Sequence, residues 1–219
     1  MEFGYWKIKG RCHHIRYLIA YLKAKYIEFN PRSAEEWKQS KKKLKKYNPF
    51  INLPYCTDGN FVVSEAQAVS LAIIMRAGRR ELLGKTGYDV IHHRTLQEYI
   101  HDIREFALGL VEHTKDEIKA QFEEYAKAKI GFKLQALKKF MGERKFLLGY
   151  LTLADFELCY VIEFLDWVCR RCGVRNPFVH FENLSGLVMR VRALDGVKQF
   201  CKGPLDRIPW MLPSTVKFD

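Results

Sequence analysis

Cys169 and Cys172 stand three apart, His13-His14 and His92-His93 are adjacent pairs, and Cys12 sits at the entrance of a helical segment. These are the side chains whose types could hold a metal or attack an electrophile. A zinc site needs a second cysteine pair or histidines at finger spacing, and neither follows Cys172, so free thiols at a helix end are expected. Adjacent residues on a helix point in different directions, so both histidine pairs are poor chelators and read as surface or capping histidines. No metal site is expected. Cys12 differs, because a helix N-terminus lowers a thiol pKa and the thiolate is the nucleophile. It is kept as a redox-sensitive or alternative nucleophilic residue. The run Lys41 to Lys46, broken only by Leu44, is the strongest nucleic-acid candidate. It lacks interleaved aromatic residues and any recognised binding motif, so a solvated basic face that steers small anions is expected instead.

The elements that must position such residues can be read along the chain. Its 219 residues are 48% hydrophobic and 28% charged, enough for a core in one large or two small domains, and disorder is excluded. The net charge of +12 predicts attraction to anions without naming one. Ala68 to Met75, the longest apolar stretch, is far shorter than the ~18 residues needed to cross a bilayer. With Glu2 and Lys7 early in the chain no signal peptide is expected, and neither is a location other than the cytoplasm. Six cysteines are too sparse for a disulfide scaffold.

Glu2 to Lys9 reads as a strand, His13 to Lys25 as a helix through Ile15, Leu18, Ile19 and Leu22, and Tyr26 to Phe29 as a second strand. Ser33, with Glu35 and Glu36 behind it, opens a helix whose other end carries the lysines. Pro54 to Cys56, Asp58-Gly59 and Phe61 to Val63 predict a hairpin with a type I′ turn, and Ser64 then caps a helix to about Ala77. After Gly78 the texture is helical throughout, with a domain boundary near residues 78–86. There Thr152 and Asp155 form a capping box, with Leu151 and Phe156 as its hydrophobic staple. Phe156 to Val168 is apolar on nearly every face and is expected to be the buried centre of the second domain. The fold class expected is α/β plus all-α: a thioredoxin-like βαβαββα domain over residues 1–80, then an all-helical domain over 87–219.

Gly4-Tyr5-Trp6, Ile15-Arg16, Asn52-Leu53-Pro54-Tyr55, Asp58-Gly59, Glu65, Ala68 and Leu82-Leu83-Gly84, in this order and spacing, resemble a cytosolic glutathione transferase of the mu-like class. Thr152 and Asp155 resemble the same family's helical domain. The resemblance implies that Tyr5 is the catalytic residue, its hydroxyl bonding the glutathione sulfur. A thiol of pKa ~8.5 is only a few per cent thiolate at pH 7, and one bond to the charged form lowers that pKa by roughly one to two units. Pro54 resembles the family's cis-proline, behind which Leu53 pairs its backbone with the tripeptide. Glu65 is implied to receive the γ-glutamyl ammonium and Ala66 its carboxylate through a helix N-terminal N–H. Trp37 and Lys41 would contact the glycyl end, with Trp6 and Asn52 as further contacts. Asp102 falls where the partner subunit's aspartate reaches the ammonium group, and Phe50 matches the aromatic that locks a homodimer. The resemblance also implies that glutathione is a co-substrate, that no separate cofactor or metal is used, and that no nucleic acid or membrane is a partner.

Two departures accompany this resemblance. Ala66 stands where the family has serine, and Ala34 where it has an arginine three residues before the tryptophan, with Arg32 nearby. Losing one charge-assisted bond implies binding weaker by roughly ten-fold to a hundred-fold. The implied function is conjugation of the glutathione thiolate to hydrophobic electrophiles, a detoxification reaction. The alternatives are a glutathione-dependent isomerase and a catalytically weak binding or structural member. Trp210, Met211 and Phe218 in the tail would cover the electrophile or only cap the core.

Overall fold

The computed structural model describes residues 1–126 and 130–218. It divides into two compact units: Met1–Arg80 with Asp195–Trp210, and Glu81–Leu194 with Met211–Asp219. The expected all-helical domain over 87–219 is therefore corrected at one place, because residues 195–210 pack on the first unit. The reason lies in Gly196, whose missing side chain lets its backbone lie against the carbonyl of Ala20, and in Asp206, taken up below.

The first unit has four strands, β1 (Glu2–Gly4), β2 (Ile27–Phe29), β3 (Tyr55–Asp58) and β4 (Phe61–Ser64), in the order β2-β1-β3-β4. β1 runs parallel to β2 and antiparallel to β3, and β3 pairs antiparallel with β4. Helices α1 (His13–Leu22), α2 (Ala34–Leu44) and α3 (Ala66–Arg76) complete the βαβαββα order. β1 ends at Gly4, well short of the expected Lys9: the Tyr5 N–H still bonds Phe29 of β2, but beyond it Ile8 bonds back to Trp6, and Lys9 and Gly10 bond Pro209 and Trp210. α2 begins as expected: the Ser33 hydroxyl accepts the Glu36 N–H at 3.1 Å. The hairpin turn is Gly59-Asn60, and of these only Gly59 is left-handed (φ +61°), so the type I′ expectation fails at its second position. Ser64 does not cap α3. Its hydroxyl donates to the Phe50 carbonyl at 3.1 Å, and Glu65 stands at the N-cap.

The second unit contains α4 (Gly87–Gly109), α5 (Lys115–Ala126), α6 (Phe132–Met141), α7 (Leu153–Cys172) and α8 (Glu182–Ala193), while α9 (Val197–Phe200) packs on α1. α7 is buried along most of its length and packs against α4 and α8, as its uniformly apolar sequence requires. Among the described residues no helix is long and apolar enough to cross a membrane.

The histidine expectation is corrected. His13 and His14 have no exposed surface and His93 is 3% exposed, whereas His92 faces solvent. Burial pushes His13 and His93 down from 6.5 to about 4 and pushes Asp155 up from 3.8 to about 6. Between pH 4 and 6.5 the unfolded chain holds two histidine protons that the folded chain refuses, and the folded chain holds one Asp155 proton that the unfolded chain has released. The histidines prevail, so stability rises with pH across this window and is lost on acidification. We expect a loss of roughly 2–3 kcal/mol from pH 7 to pH 4.5, read from denaturant midpoints. Equal midpoints at the two pH values would contradict the burial of both rings.

Candidate active site

Tyr5 leaves the sheet directly after β1 and is 6% exposed. Its backbone is held on both sides: its N–H donates to the Phe29 carbonyl at 3.0 Å, and its carbonyl accepts from Asn30 Nδ2 at 2.9 Å. Its hydroxyl accepts the Arg11 N–H at 3.0 Å. An accepted bond polarises the phenol and strengthens its own proton as a donor, which suits the sulfur-bonding role expected of Tyr5. The approach depends on Gly10, whose φ is +46° and where an added Cβ would stand 2.5 Å from the Tyr5 oxygen. Gly10→Ala should displace the ring and, if Tyr5 has the catalytic role the resemblance implies, lower kcat/KM about tenfold or more, because small misplacements of a catalytic group are costly. Steady-state kinetics beside a thermal midpoint would separate this from unfolding, and an unchanged kcat/KM would contradict the contact.

The loop after Tyr5 is fastened by a residue to which sequence reasoning assigned no role. Arg16 is fully buried, donates to the carbonyls of Ile8 (2.7 Å) and Trp6 (3.2 Å), and pairs with Glu28 through Nη2 at 2.7 Å and Nε at 3.0 Å. One planar guanidinium thus ties the loop to β2. A buried arginine partway along an apolar helix was the available signal, since such a charge is almost never fully buried without a partner.

The returning chain closes the other side. Lys9 and Gly10 donate backbone N–H bonds to the carbonyls of Pro209 and Trp210, both at 2.7 Å. Asp206 accepts from Tyr17 at 3.3 Å, stands 3.0 Å from His13 Nε2 and 3.8 Å from Lys9 Nζ, which in turn lies 4.3 Å over the Trp210 ring. Of the tail residues, Trp210 therefore lies beside the Tyr5 loop, whereas Phe218 is buried in the second unit 5.4 Å from Trp167.

Several expected tripeptide contacts gather on this unit. Trp37 is 9% exposed and stacks on Tyr55 (5.8 Å, 16°), with Ile51 completing a cluster against which Trp6 and Leu53 pack. Lys41 Nζ lies 5.9 Å over the Trp37 ring, one helical turn away. The Leu53-Pro54 peptide is cis. Ser64 pairs with Tyr55, so Glu65 and Ala66 leave the sheet where Leu53 and Pro54 enter it. Glu65 has φ +74°, a conformation that non-glycine residues rarely adopt and that concentrates at functional sites. Ala66 opens α3, leaving its N–H among those a helix N-terminus presents to an anion. Asn52 is exposed beside Leu53.

The remaining expected residues lie elsewhere. Asp102 is on α4 in the second unit, exposed and paired with Lys133 at 2.7 Å. Phe50 is 84% exposed on a loop fixed by its N–H to Asn48 Oδ1 at 2.9 Å. Cys12 is fully buried, which removes the accessibility that an alternative nucleophile needs. Cys169 and Cys172 are buried free thiols, and burial pushes Cys169 up to about 12. Among the described residues no group of three or more His, Cys, Asp or Glu side chains could hold a metal ion.

A family model described as "Glutathione S-transferase, N-terminal domain" matches residues 1–71, and one described as "Glutathione S-transferase, C-terminal domain" matches residues 101–203. Glutathione S-transferase Mu 1 of Bos taurus is 27% identical over 214 residues, covering 92% of this chain and 90% of the relative. Glutathione S-transferase B of Cavia porcellus is 28% identical over 210 residues, covering 92% and 91%. The solved glutathione S-transferase Blo t 8 shares the fold with a TM-score of 0.79 at 24% identity, covering all of this chain and 99% of that one. Both of the family's domains are matched in their order along the chain, and the four-stranded unit followed by a helical unit is the fold shared with that solved structure: the chain belongs to the glutathione S-transferase family.

Proposed function

We propose that this protein is a mu-like transferase that joins the sulfur of glutathione to hydrophobic electrophiles. The observation that carries the proposal is the Tyr5 hydroxyl, set by the Arg11 N–H at 3.0 Å and by the absence of a side chain at Gly10. It would donate to the thiolate, while Trp6, Trp37, Lys41, Asn52, Leu53, Pro54, Glu65 and Ala66 hold the tripeptide. Deprotonated sulfur then attacks the electrophilic carbon, and the leaving group departs with the bonding pair. Ile8 and Trp210 beside the tyrosine loop support an apolar second substrate.

The protein works as a homodimer in the cytoplasm in this reading. An aromatic ring left 84% exposed at Phe50 is unfavourable in water and fits insertion into a second copy. Phe61, Leu71 and Met75, also exposed, line a hollow of about 440 Å³ between β4 and α3 that supports the same role. In such a dimer Asp102 would exchange Lys133 for the partner's glutathione ammonium.

The direct test is turnover of an activated aryl chloride with glutathione, following the conjugate. One glutathione consumed per product is expected. Absence of product at saturating glutathione would overturn the proposal, and product formed from an isomerisable substrate with glutathione returned unchanged would favour an isomerase.

A further inference from the structure

Some positive charges on this protein have a carboxylate beside them, and the densest run of them does not. Lys9 lies near Asp206, Lys23 pairs with Asp195, Lys38 with Glu35 and Lys133 with Asp102. At the end of α2, Lys41, Lys42, Lys43, Lys45 and Lys46 stand within six residues, and among the described residues none of them has a carboxylate partner. Trp37 and Leu44 turn the opposite side of this helix into the core cluster, which fixes the lysines outward: Lys42, Lys43, Lys45 and Lys46 are exposed. Tyr47 follows at 45% exposure, with Lys46 Nζ 4.6 Å over its ring. The partial negative charge of the helix C-terminus offsets only about half of one of these charges.

We infer that this lysine cluster docks the protein reversibly on a membrane surface carrying anionic phospholipid. This departs from the solvated basic face, and from the absence of a membrane partner, that were expected from sequence. Ammonium groups on flexible stems are point charges without directional preference, which suits a diffuse sheet of headgroups. Readers of RNA rely on arginine forks and on aromatic faces that stack bases, and the segment 41–47 has no arginine and a single aromatic ring already met by Lys46. An aromatic residue beside a polybasic stretch is suited to the headgroup layer. Each lysine near such a surface contributes about fivefold in partitioning, and the attraction fades within about 10 Å at 0.1 M salt.

The test is co-sedimentation of the full chain with vesicles of phosphatidylcholine alone and of phosphatidylcholine with phosphatidylserine, at low and high salt. The wild type should pellet only with the anionic vesicles and be released by high salt. Replacing Lys42, Lys43, Lys45 and Lys46 by Gln should weaken partitioning by a hundredfold or more, while replacing the same four by Arg retains it. A charge-matched control with Lys25, Lys138, Lys139 and Lys198 replaced by Gln should still bind, because these exposed lysines lie outside the cluster. Far-UV circular dichroism on each variant checks folding. Failure of the wild type to pellet, an equal loss in the control, or displacement from vesicles by single-stranded RNA at lower concentration than by free lipid headgroup would overturn the assignment.

Discussion

Tyr5→Phe is expected to reduce kcat/KM for glutathione conjugation by roughly ten-fold to a hundred-fold near pH 6.5 and by much less near pH 9. The phenylalanine ring keeps the volume that packs beside Gly10, so the fold should survive, but the hydroxyl 3.0 Å from the Arg11 N–H is gone. A hydrogen bond to a charged sulfur contributes ~1.5–3 kcal/mol, which is one to two pKa units at ~1.36 kcal/mol each. Without it the bound thiol returns toward ~8.5 and little thiolate exists at pH 6.5. Raising the pH then restores thiolate without the tyrosine, so the defect must shrink with pH. A loss of equal size at pH 6.5 and pH 9 would mean that Tyr5 acts by packing rather than on the sulfur. The profile is read from kcat/KM against pH for the two proteins side by side.

Asp155→Ala is expected to cost about 4 kcal/mol of stability and to lower Tm by roughly 8–16 °C for a chain of this size. Asp155 has no exposed surface, and its carboxylate collects the N–H groups of Leu147 and Thr152, both at 2.8 Å, and the Thr152 hydroxyl at 2.9 Å. Alanine leaves three buried donors without an acceptor, at ~1–3 kcal/mol each, and releases the segment before α7 from the helix it introduces. Thr152→Ala removes one of these bonds and should cost about a third as much. Burial holds the Asp155 carboxyl up at about 6, so the cost of the alanine variant is a quantity to measure at pH 7 or above, where the carboxylate is present. Denaturant unfolding within about 1 kcal/mol of wild type would show that water replaces the lost acceptor. These donors lie eight and three residues from Asp155 in sequence, which is why this part of the second unit was open to a local reading.

Chemistry that acts over a few residues was legible along the chain. Ser33 caps α2, Thr152 and Asp155 close the start of α7, and the alternation flanking Asp58-Gly59 makes the β3–β4 hairpin, because each depends on pairings between residues three to nine positions apart. Apolar periodicity likewise marked α1, a uniformly apolar run marked α7, and the ordered residues from Gly4 to Gly84 pointed to the family. Failures occurred where a distant segment outbids the local one. Ser64 abandons a cap to hold Phe50, β1 stops short because Lys9 and Gly10 bond Pro209 and Trp210, and His13 is buried because Asp206, 193 residues away, comes to meet it. The return of residues 195–210 to the first unit, the guanidinium of Arg16 under the tyrosine loop and the space beneath the Tyr5 hydroxyl at Gly10 belong to the same class. Spacing along a chain encodes which groups can meet within one turn of helix or one hairpin. Which remote carboxylate, carbonyl or glycine meets them is decided only when the units close around their cores, where every buried polar group must find a partner.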